Sequence, residues 1–427
     1  MNRAIARYDT FVPALLEKAN ILILNYSWDE ANECISLLLD NDQNRNNLKA
    51  LQLKCLLEIA TSGRMDAISD LVAIISECIQ NKEPSCAWIY YQTSALLRRT
   101  SGGRPEIQAI AIDLSRRACE IEPSNSVFLI EYAHCQRACG KVSLASQTYS
   151  DALSQDASSV DAICGVIQCL ILQGQLENAQ QQIEFLEDMH DCGDWYVLFY
   201  LVNVCFLLLL RRCLRNSICF RHFSAPLIHF LRCLVSQQRE GTEEQISNLQ
   251  RKAIAGQINT MQRSYSNAVY SYITFNVEFA IDMASNILHS GVYHSVESSL
   301  HGRETLDACV DILLHVTTRV PAHFKAKALH SKSMFIMRQF YESTESLLEC
   351  RKINQQHHGP CLAIARIQIA QGNVTGALAS LEEALSVNLS VQKQLLYKIL
   401  KAKCLLEQVC YMKMLLLHVV QSCYFHF

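Results

Sequence analysis

Glycine and proline are scarce in this sequence. The chain has 14 Gly and 7 Pro among 427 residues, less than half of the roughly 12% that average usage gives. All-β sandwiches and barrels need many tight turns, so this scarcity argues against them, and it excludes collagen-like and Pro/Gly-rich disordered chains. Half of the residues are apolar and 19% are charged, which is enough apolar material for a core. The composition therefore predicts an all-α protein with short loops.

An excess of charge of one sign is also lacking. The net charge is −3, and no run of five or more Lys or Arg residues occurs. A nucleic-acid-binding protein normally needs a basic face, so we expect no nucleic-acid partner. The stretch Met1–Asn20 has no continuous apolar run followed by a small-residue cleavage site. Because such a run marks secretory signals, we expect the 20 Cys to be reduced thiols and not a disulfide framework.

The motifs of common enzyme sites are missing. The sequence contains no G-x-x-x-x-G-K-[ST], G-x-G-x-x-G, H-E-x-x-H, G-x-S-x-G or C-x-x-C, whose residues cradle phosphates, bind zinc or carry nucleophiles. The group most similar to a metal site is His357, His358 and Cys361, with Cys350 one helix earlier. A zinc site needs about four ligands in tetrahedral geometry, whereas these residues are interpreted as turn histidines and small core cysteines. We predict no catalytic, cofactor-binding or metal residues, and a protein that is not an enzyme.

Small residues recur along the chain with a regular spacing. They stand 34 to 36 residues apart in three groups: Ala31 and Ala67; Ala111, Ala145 and Ala179; Ser343 and Ala377. A second set precedes them by 12 residues: Ala19, Ala133, Ser331 and Ala365. Glycines precede four units by four or five residues: Gly63, Gly140, Gly174 and Gly372. Alanines follow three units by seven residues: Ala118, Ala152 and Ala384. This is the pattern of the tetratricopeptide repeat.

The pattern has a physical explanation. Two antiparallel helices of about three turns need small residues where their backbones come closest, and Gly permits the tight turn between them. One helix pair cannot bury its apolar stripe alone, so neighbouring pairs stack. The sequence therefore predicts an all-α fold, a tetratricopeptide-repeat α-solenoid built as a superhelix of antiparallel helix pairs. We expect a concave groove for protein partners along the first helices of the pairs.

The repeat pattern also predicts how the chain is organised. The predicted segments are an N-terminal extension (1–10), an array of about five repeats (11–195), an atypical apolar and basic segment (196–240), irregular helical repeats (241–320), further tetratricopeptide repeats (321–407) and an aberrant apolar tail (408–427). Within the atypical segment, Tyr196–Leu210 has only Asn203 as a polar residue. A 15-residue helix reaches about 22 Å, short of a hydrocarbon core of roughly 30 Å. We expect no stable membrane span there, and a buried helix or sequence foreign to the natural protein instead.

Two other polar features of the sequence are candidates for binding sites. Some chaperone-binding repeat domains clamp a peptide C-terminus with Lys and Asn on successive first helices. Asn20 fits such a position, but Leu16 stands where the Lys is required, so we do not expect this clamp. The arginine pairs are interpreted as ordinary surface charge: Arg98–Arg99, Arg116–Arg117 and Arg211–Arg212.

The repeats resemble a particular family. Residues Ser159–Asp188 read SVDAICGVIQCLILQGQLENAQQQIEFLED, which is similar to a repeat of the tetratricopeptide repeat protein 21 family. The matching motifs are Gly165–Cys169, Gly174–Leu176 and Gln181–Leu186. Similar segments follow in the family's order: Phe275–Leu288, Leu306–Pro321 and Leu396–Ala402. The resemblance covers roughly residues 11–195 and 265–407, and the family's members are longer, so the chain is expected to be an internal portion.

The resemblance implies a function that composition and spacing do not. It implies a non-catalytic scaffold subunit of intraflagellar transport complex A, acting in retrograde ciliary transport and in the trafficking of ciliary cargo and receptors. The implied partners are other subunits of that complex and ciliary cargo adaptors, and the implied location is the cilium and cytoplasm. One alternative is a repeat adaptor in another multiprotein assembly. A third class, an enzyme, would have to house catalysis within Trp195–Val320, where no motif occurs.

Overall fold

The computed structural model describes most of the chain. The described residues are 11–41, 44–82, 84–100, 104–186, 226–238, 242–261, 267–289 and 300–408. The predictions for residues 1–10, for Tyr196–Leu210 and for 409–427 lie outside them. The chain divides into two compact units, Met1–His323 and Phe324–Phe427.

The first unit is built from helices. Those of its first part are α1 (Val12–Leu24), α2 (Trp28–Leu39), α3 (Leu48–Thr61), α4 (Met65–Lys82), α5 (Ala87–Thr100), α6 (Pro105–Ile121), α7 (Ser126–Ala138), α8 (Val142–Gln155), α9 (Val160–Leu172) and α10 (176–186). Those of its second part are α11 (226–238), α12 (Glu243–Met261), α13 (Ala268–Phe275), α14 (Val277–His289) and α15 (Leu300–Arg319). Consecutive helices from α1 to α4 and from α5 to α9 pack on one another, as the stacked pairs of a repeat array must.

The second unit has the same construction. Its helices are α16 (Phe324–Ile336), α17 (Phe340–Ile353), α18 (Gly359–Ala370), α19 (Val374–Val387) and α20 (395–408), with a short 3₁₀ helix at Leu389–Lys393. Helix α16 packs on α17, and α18 packs on α19. The predicted all-α repeat fold is confirmed. Among the described residues, no helix combines the length and the apolar character that crossing a membrane requires.

The four glycines of the repeat pattern lie in left-handed turns. Gly63, Gly140, Gly174 and Gly372 have φ of +61°, +78°, +75° and +76°. A side chain in this backbone conformation crowds the following carbonyl, so glycine is favoured there. Two other repeats place a non-glycine residue at the same turn, because Tyr26 and Arg338 both have φ of +62°.

The small residues of the pattern lie where the two helices of a pair meet. Ala31, Ala111, Ala145 and Ala179 are fully buried, and the Ser343 hydroxyl donates to the Ser331 backbone carbonyl at 2.8 Å. The second repeat differs from the prediction. There Ile68 is buried and Ala67 is only half-buried, so the predicted position is wrong by one residue. The turn glycine Gly63 stands five residues before Ile68, as in the other repeats.

Candidate protein-binding surface

The first helices of the repeats form a continuous inner layer. Helix α1 contacts α3, α3 contacts α5, α5 contacts α7, and α7 contacts α9. This layer is the face on which the sequence predicts a groove for protein partners. Its chemistry is set by the side chains that point away from the paired second helices.

A buried ion pair joins two helices of this layer. On α5, Arg98 donates from Nε to Glu131 Oε1 at 2.6 Å and from Nη2 to Oε2 at 2.9 Å. The Arg99 guanidinium lies 3.6 Å from the same carboxylate. Burial by itself would raise the pKa of the Glu131 carboxyl, but the charges and hydrogen bonds of the two arginines outweigh it and lower that pKa. The two-point geometry fixes the register of α5 against α7.

Beside this ion pair, a histidine and a tyrosine share a hydrogen bond. His134 Nδ1 lies 2.6 Å from the Tyr149 hydroxyl, and the two rings meet edge to face at 5.4 Å. Burial, with the positive charge of Arg98 and Arg137 added, lowers the pKa of His134 well below its ordinary value. The imidazole is therefore neutral at pH 7, and it adds no charge to the inner layer.

The Tyr149 ring packs directly on the backbone of Gly165. A Cβ placed on Gly165 would lie 2.4 Å from the Tyr149 ring, closer than any carbon contact tolerates. Gly165 opens the Gly165–Cys169 segment that carries the family resemblance. The glycine thus has a packing role, since it lets an aromatic ring of α8 lie against α9.

The inner layer of the first three repeats is not an open groove. Helix α13 lies against α1, α3 and α5, and α14 also contacts α5. Asn20, considered for a peptide clamp, accepts a hydrogen bond from the Ala268 backbone N–H at 3.3 Å. The expectation of a groove open to partners along these helices is therefore wrong for the first three repeats. The physical reason is that α13 buries its apolar side chains there.

The arginine pairs of the sequence differ in their surroundings and partners. Arg98 and Arg99 are not a surface pair, since they bind Glu131 between helices. Arg116 pairs with Asp113 and Glu120 on the exposed face of α6, as ordinary surface charge does. The pair Arg211–Arg212 lies outside the described residues.

The histidine and cysteine side chains considered as metal ligands in the second unit pack against, or form hydrogen bonds with, neighbouring protein groups. His357 and His358 stack with an interplanar angle of 3° at 5.4 Å, and Nδ1 of His357 accepts from the Gly359 backbone N–H at 3.1 Å. Cys361 is buried, and the Cys350 thiol points at the Phe324 carbonyl oxygen at 3.8 Å. In the part of the chain that the structure describes, no group of three or more His, Cys, Asp or Glu could hold a metal ion.

The helical cysteines are mostly core residues. Cys34, Cys55, Cys135, Cys164 and Cys169 are buried and Cys119 is half-buried. Burial raises the pKa of Cys55, Cys119 and Cys135 to about 12. All the described cysteines are free thiols.

Comparison with known proteins decides the family. A model of the "Tetratricopeptide repeat protein 21 second ARM domain" matches residues 70–207 and 221–372. The chain belongs to the tetratricopeptide repeat protein 21 family. The match includes residues 196–207 and 221–240 of the segment that the sequence marks as atypical, so within it only 208–220 lie outside the family's pattern.

Curated relatives in this family match nearly the whole chain. Tetratricopeptide repeat protein 21B of Homo sapiens is 23% identical over 94% of this chain and 28% of its own length. Tetratricopeptide repeat protein 21A of Mus musculus is 22% identical over 95% of this chain and 28% of its own length. The chain therefore spans less than a third of the length of these relatives.

Some solved structures are similar to this chain at lower sequence identity. The APC/C hetero-tetramer Cut9–Hcn1 gives a TM-score of 0.42 at 12% identity, over 88% of this chain and 59% of that chain. A monomeric mutant of IFIT1 gives a TM-score of 0.44 at 10% identity, over 95% of this chain and 83% of that chain. The family match and the observed helix pairs make this chain a helical-repeat scaffold.

Local sequence patterns do not identify all the residues that shape this surface. Arg98 and Arg99 look isolated in the sequence, because the spacing of 33 residues to Glu131 is close to one repeat and gives no local signal. Helix α13 has the sequence AVYSYITF, which is apolar on most sides. That unusual apolarity in a short helix indicates burial all round.

Proposed function

We propose that this chain is part of a scaffold subunit of intraflagellar transport complex A. In this role it acts in retrograde ciliary transport and in the trafficking of ciliary cargo and receptors, at the ciliary base and axoneme and in the cytoplasm. The observation that supports the proposal is the family match over residues 70–207 and 221–372. Its partners are other subunits of the complex and ciliary cargo adaptors.

The structure is compatible with such a scaffold. A repeat array offers a long surface whose geometry is set by neighbouring helix pairs. In this chain the Arg98–Glu131 pair and the contact of Tyr149 with Gly165 tie successive pairs together. Rigid spacing of this kind lets one subunit hold several partners at set distances.

Co-purification from ciliated cells tests the proposal. A tagged form of the full chain is expected to recover other complex A subunits. The variant Ala145→Leu, which overfills a fully buried contact between α7 and α8, is expected to lose them. Gln147→Ala, an exposed change two residues away, is the matched control and is expected to keep them. Recovery of a different stable assembly without any complex A subunit would contradict the proposal and favour an adaptor elsewhere.

A further inference from the structure

Helix α13 lies against the inner layer in the way that a bound helical peptide would. It contacts the first helices of three successive repeats, α1, α3 and α5. The buried residues of this eight-residue helix are Ala268, Val269, Ser271, Tyr272, Ile273 and Phe275. The large side chain that stays outside is Tyr270, which is 45% exposed. Thr274 is half-buried, so six of the eight residues are buried and the helix is enclosed on most sides.

Backbone groups at both ends of α13 form hydrogen bonds with side chains of the inner layer. Asn20 of α1 accepts from the Ala268 N–H at 3.3 Å. Arg99 of α5 donates from Nη1 to the Ile273 carbonyl oxygen at 2.7 Å. The first N–H groups and last carbonyls of a helix have no partner within it. The inner layer therefore recognises the polar ends of a helix of this length as well as its apolar sides.

Two further contacts tie α13 to the C-terminal end of α15. The Tyr272 hydroxyl donates to the Arg319 carbonyl oxygen at 2.8 Å, and the Arg319 guanidinium lies 4.6 Å from the centre of the Phe275 ring. The segment after α15 is itself joined to α3, since the Ala322 N–H donates to the Ala60 carbonyl oxygen at 2.8 Å. Tyr272 and Phe275, three residues apart on one face, are thus the aromatic anchors of the helix.

We propose that the groove of repeats one to three is a helix-binding site whose resident ligand is the chain's own helix α13. The site selects a short apolar helix with two aromatic side chains three residues apart, and it holds the ends of that helix with Asn20 and Arg99. A partner of the same chemistry uses this groove only by displacing α13. While α13 is bound, this groove is closed to partners.

A labelled peptide added to the full chain tests the proposal. The probe is a fluorescent peptide with the sequence of residues 267–277, and binding is followed by fluorescence anisotropy. In Tyr272→Ala the resident helix loses an anchor that the peptide still carries. We expect the peptide to bind this variant at least about tenfold more tightly than it binds the wild type. A peptide with both aromatic residues changed to Ala is expected not to bind.

Tyr270→Ala is the matched control on the same helix. Tyr270 is exposed, so its truncation leaves the anchors in place, and peptide binding is expected to stay at the wild-type level. The proposal is overturned if wild type, Tyr270→Ala and Tyr272→Ala bind the peptide equally, because the resident helix then does not compete for the groove.

A second variant keeps the test decisive if Tyr272→Ala does not fold. Arg99→Ala removes one end contact, together with the Arg99 charge beside Glu131, without opening a cavity at the aromatic anchors. Hydrogen exchange measures the backbone protection of 268–275. We expect faster exchange there than in the wild type, whereas Arg116→Ala on the exposed face of α6 should leave it unchanged. Unchanged exchange in Arg99→Ala, measured on a folded protein, would also overturn the proposal.

Discussion

Arg98 and Glu131 form a two-point ion pair between α5 and α7, the first helices of two successive repeats. The Glu131 side chain is only 2% exposed and that of Arg98 9%. Arg99 adds its charge from the next position along α5. The pair therefore lies in the interior of the array, where losing one partner leaves the other charged and without water.

Removing one member of this pair should be costly. Glu131→Ala leaves the Arg98 guanidinium buried without its carboxylate, and we expect the free energy of unfolding to fall by about 3–5 kcal/mol. Chemical denaturation followed by circular dichroism measures the loss. Replacing both residues, in Arg98→Met/Glu131→Leu, is expected to restore most of the stability. Arg116→Ala, an exposed control, should change it by less than about 1 kcal/mol. Equal losses in the single and double variants would show that the ion pair is not the source.

His134 should make the protein less stable in mild acid. Burial and nearby arginines hold the pKa of His134 well below its ordinary value of 6.5. As pH falls below about 6.5, the unfolded chain binds a proton that the folded chain does not, so the free energy of unfolding decreases. We expect His134→Gln to remove this part of the decrease in denaturation midpoints measured from pH 7.5 to 5. Tyr149→Phe keeps the burial of the imidazole and should retain the decrease. A wild-type slope in His134→Gln would contradict the assignment.

Gly165→Ala should destabilise the array through a clash. Its Cβ would meet the Tyr149 ring at 2.4 Å, and overpacking of this kind costs about 1–3 kcal/mol. Thermal unfolding measures the loss, and Gly165→Ala combined with Tyr149→Leu should regain part of it. Gly174 separates this effect from backbone strain, because a Cβ there meets nothing within 4 Å and only its φ of +75° opposes substitution. For Gly174→Ala we expect a smaller loss, about 1–2 kcal/mol, that Tyr149→Leu does not relieve.

The described cysteines should react with iodoacetamide in order of exposure. Thiolate is the reactive form, and burial raises the pKa of Cys55 and Cys135 to about 12. Cys139 is exposed at the end of α7. Peptide mass spectrometry after brief labelling at pH 8 should find Cys139 modified well before Cys55 and Cys135. Labelling in denaturant should remove the difference, and early modification of Cys55 in the folded protein would contradict the burial.

Much of the repeat architecture could be predicted from local patterns. The turn glycines are predictable because only glycine adopts a left-handed turn at low cost, and the structure places Gly140, Gly174 and Gly372 there. The same rule does not identify the turns at Tyr26 and Arg338, which adopt that conformation although neither is glycine. The one-residue error at Ala67 arose because a buried Ile68 fills the position that a small residue occupies elsewhere.

The inner surface could not be predicted in the same way. Nothing near Asn20 in the sequence indicates that it meets Ala268, which lies 248 residues later. Arg99 likewise reaches Ile273 across 174 residues. Spacing reports which residues share a helix face, but it does not report which distant segment covers that face.

By itself, the sequence determined the all-α fold, the repeat period and the family. The fold and the repeat period follow from periodic small residues, turn glycines and apolar stripes, each a property of one helix pair and its neighbours. The family follows from the resemblance of particular segments such as Gly165–Cys169. Only the tertiary structure decided that the groove of the first three repeats is filled by α13, and that Arg98 and Arg99 meet Glu131 inside the array. The physical reason is that burial of an apolar helix and pairing of buried charges depend on segments that come together only when the chain folds.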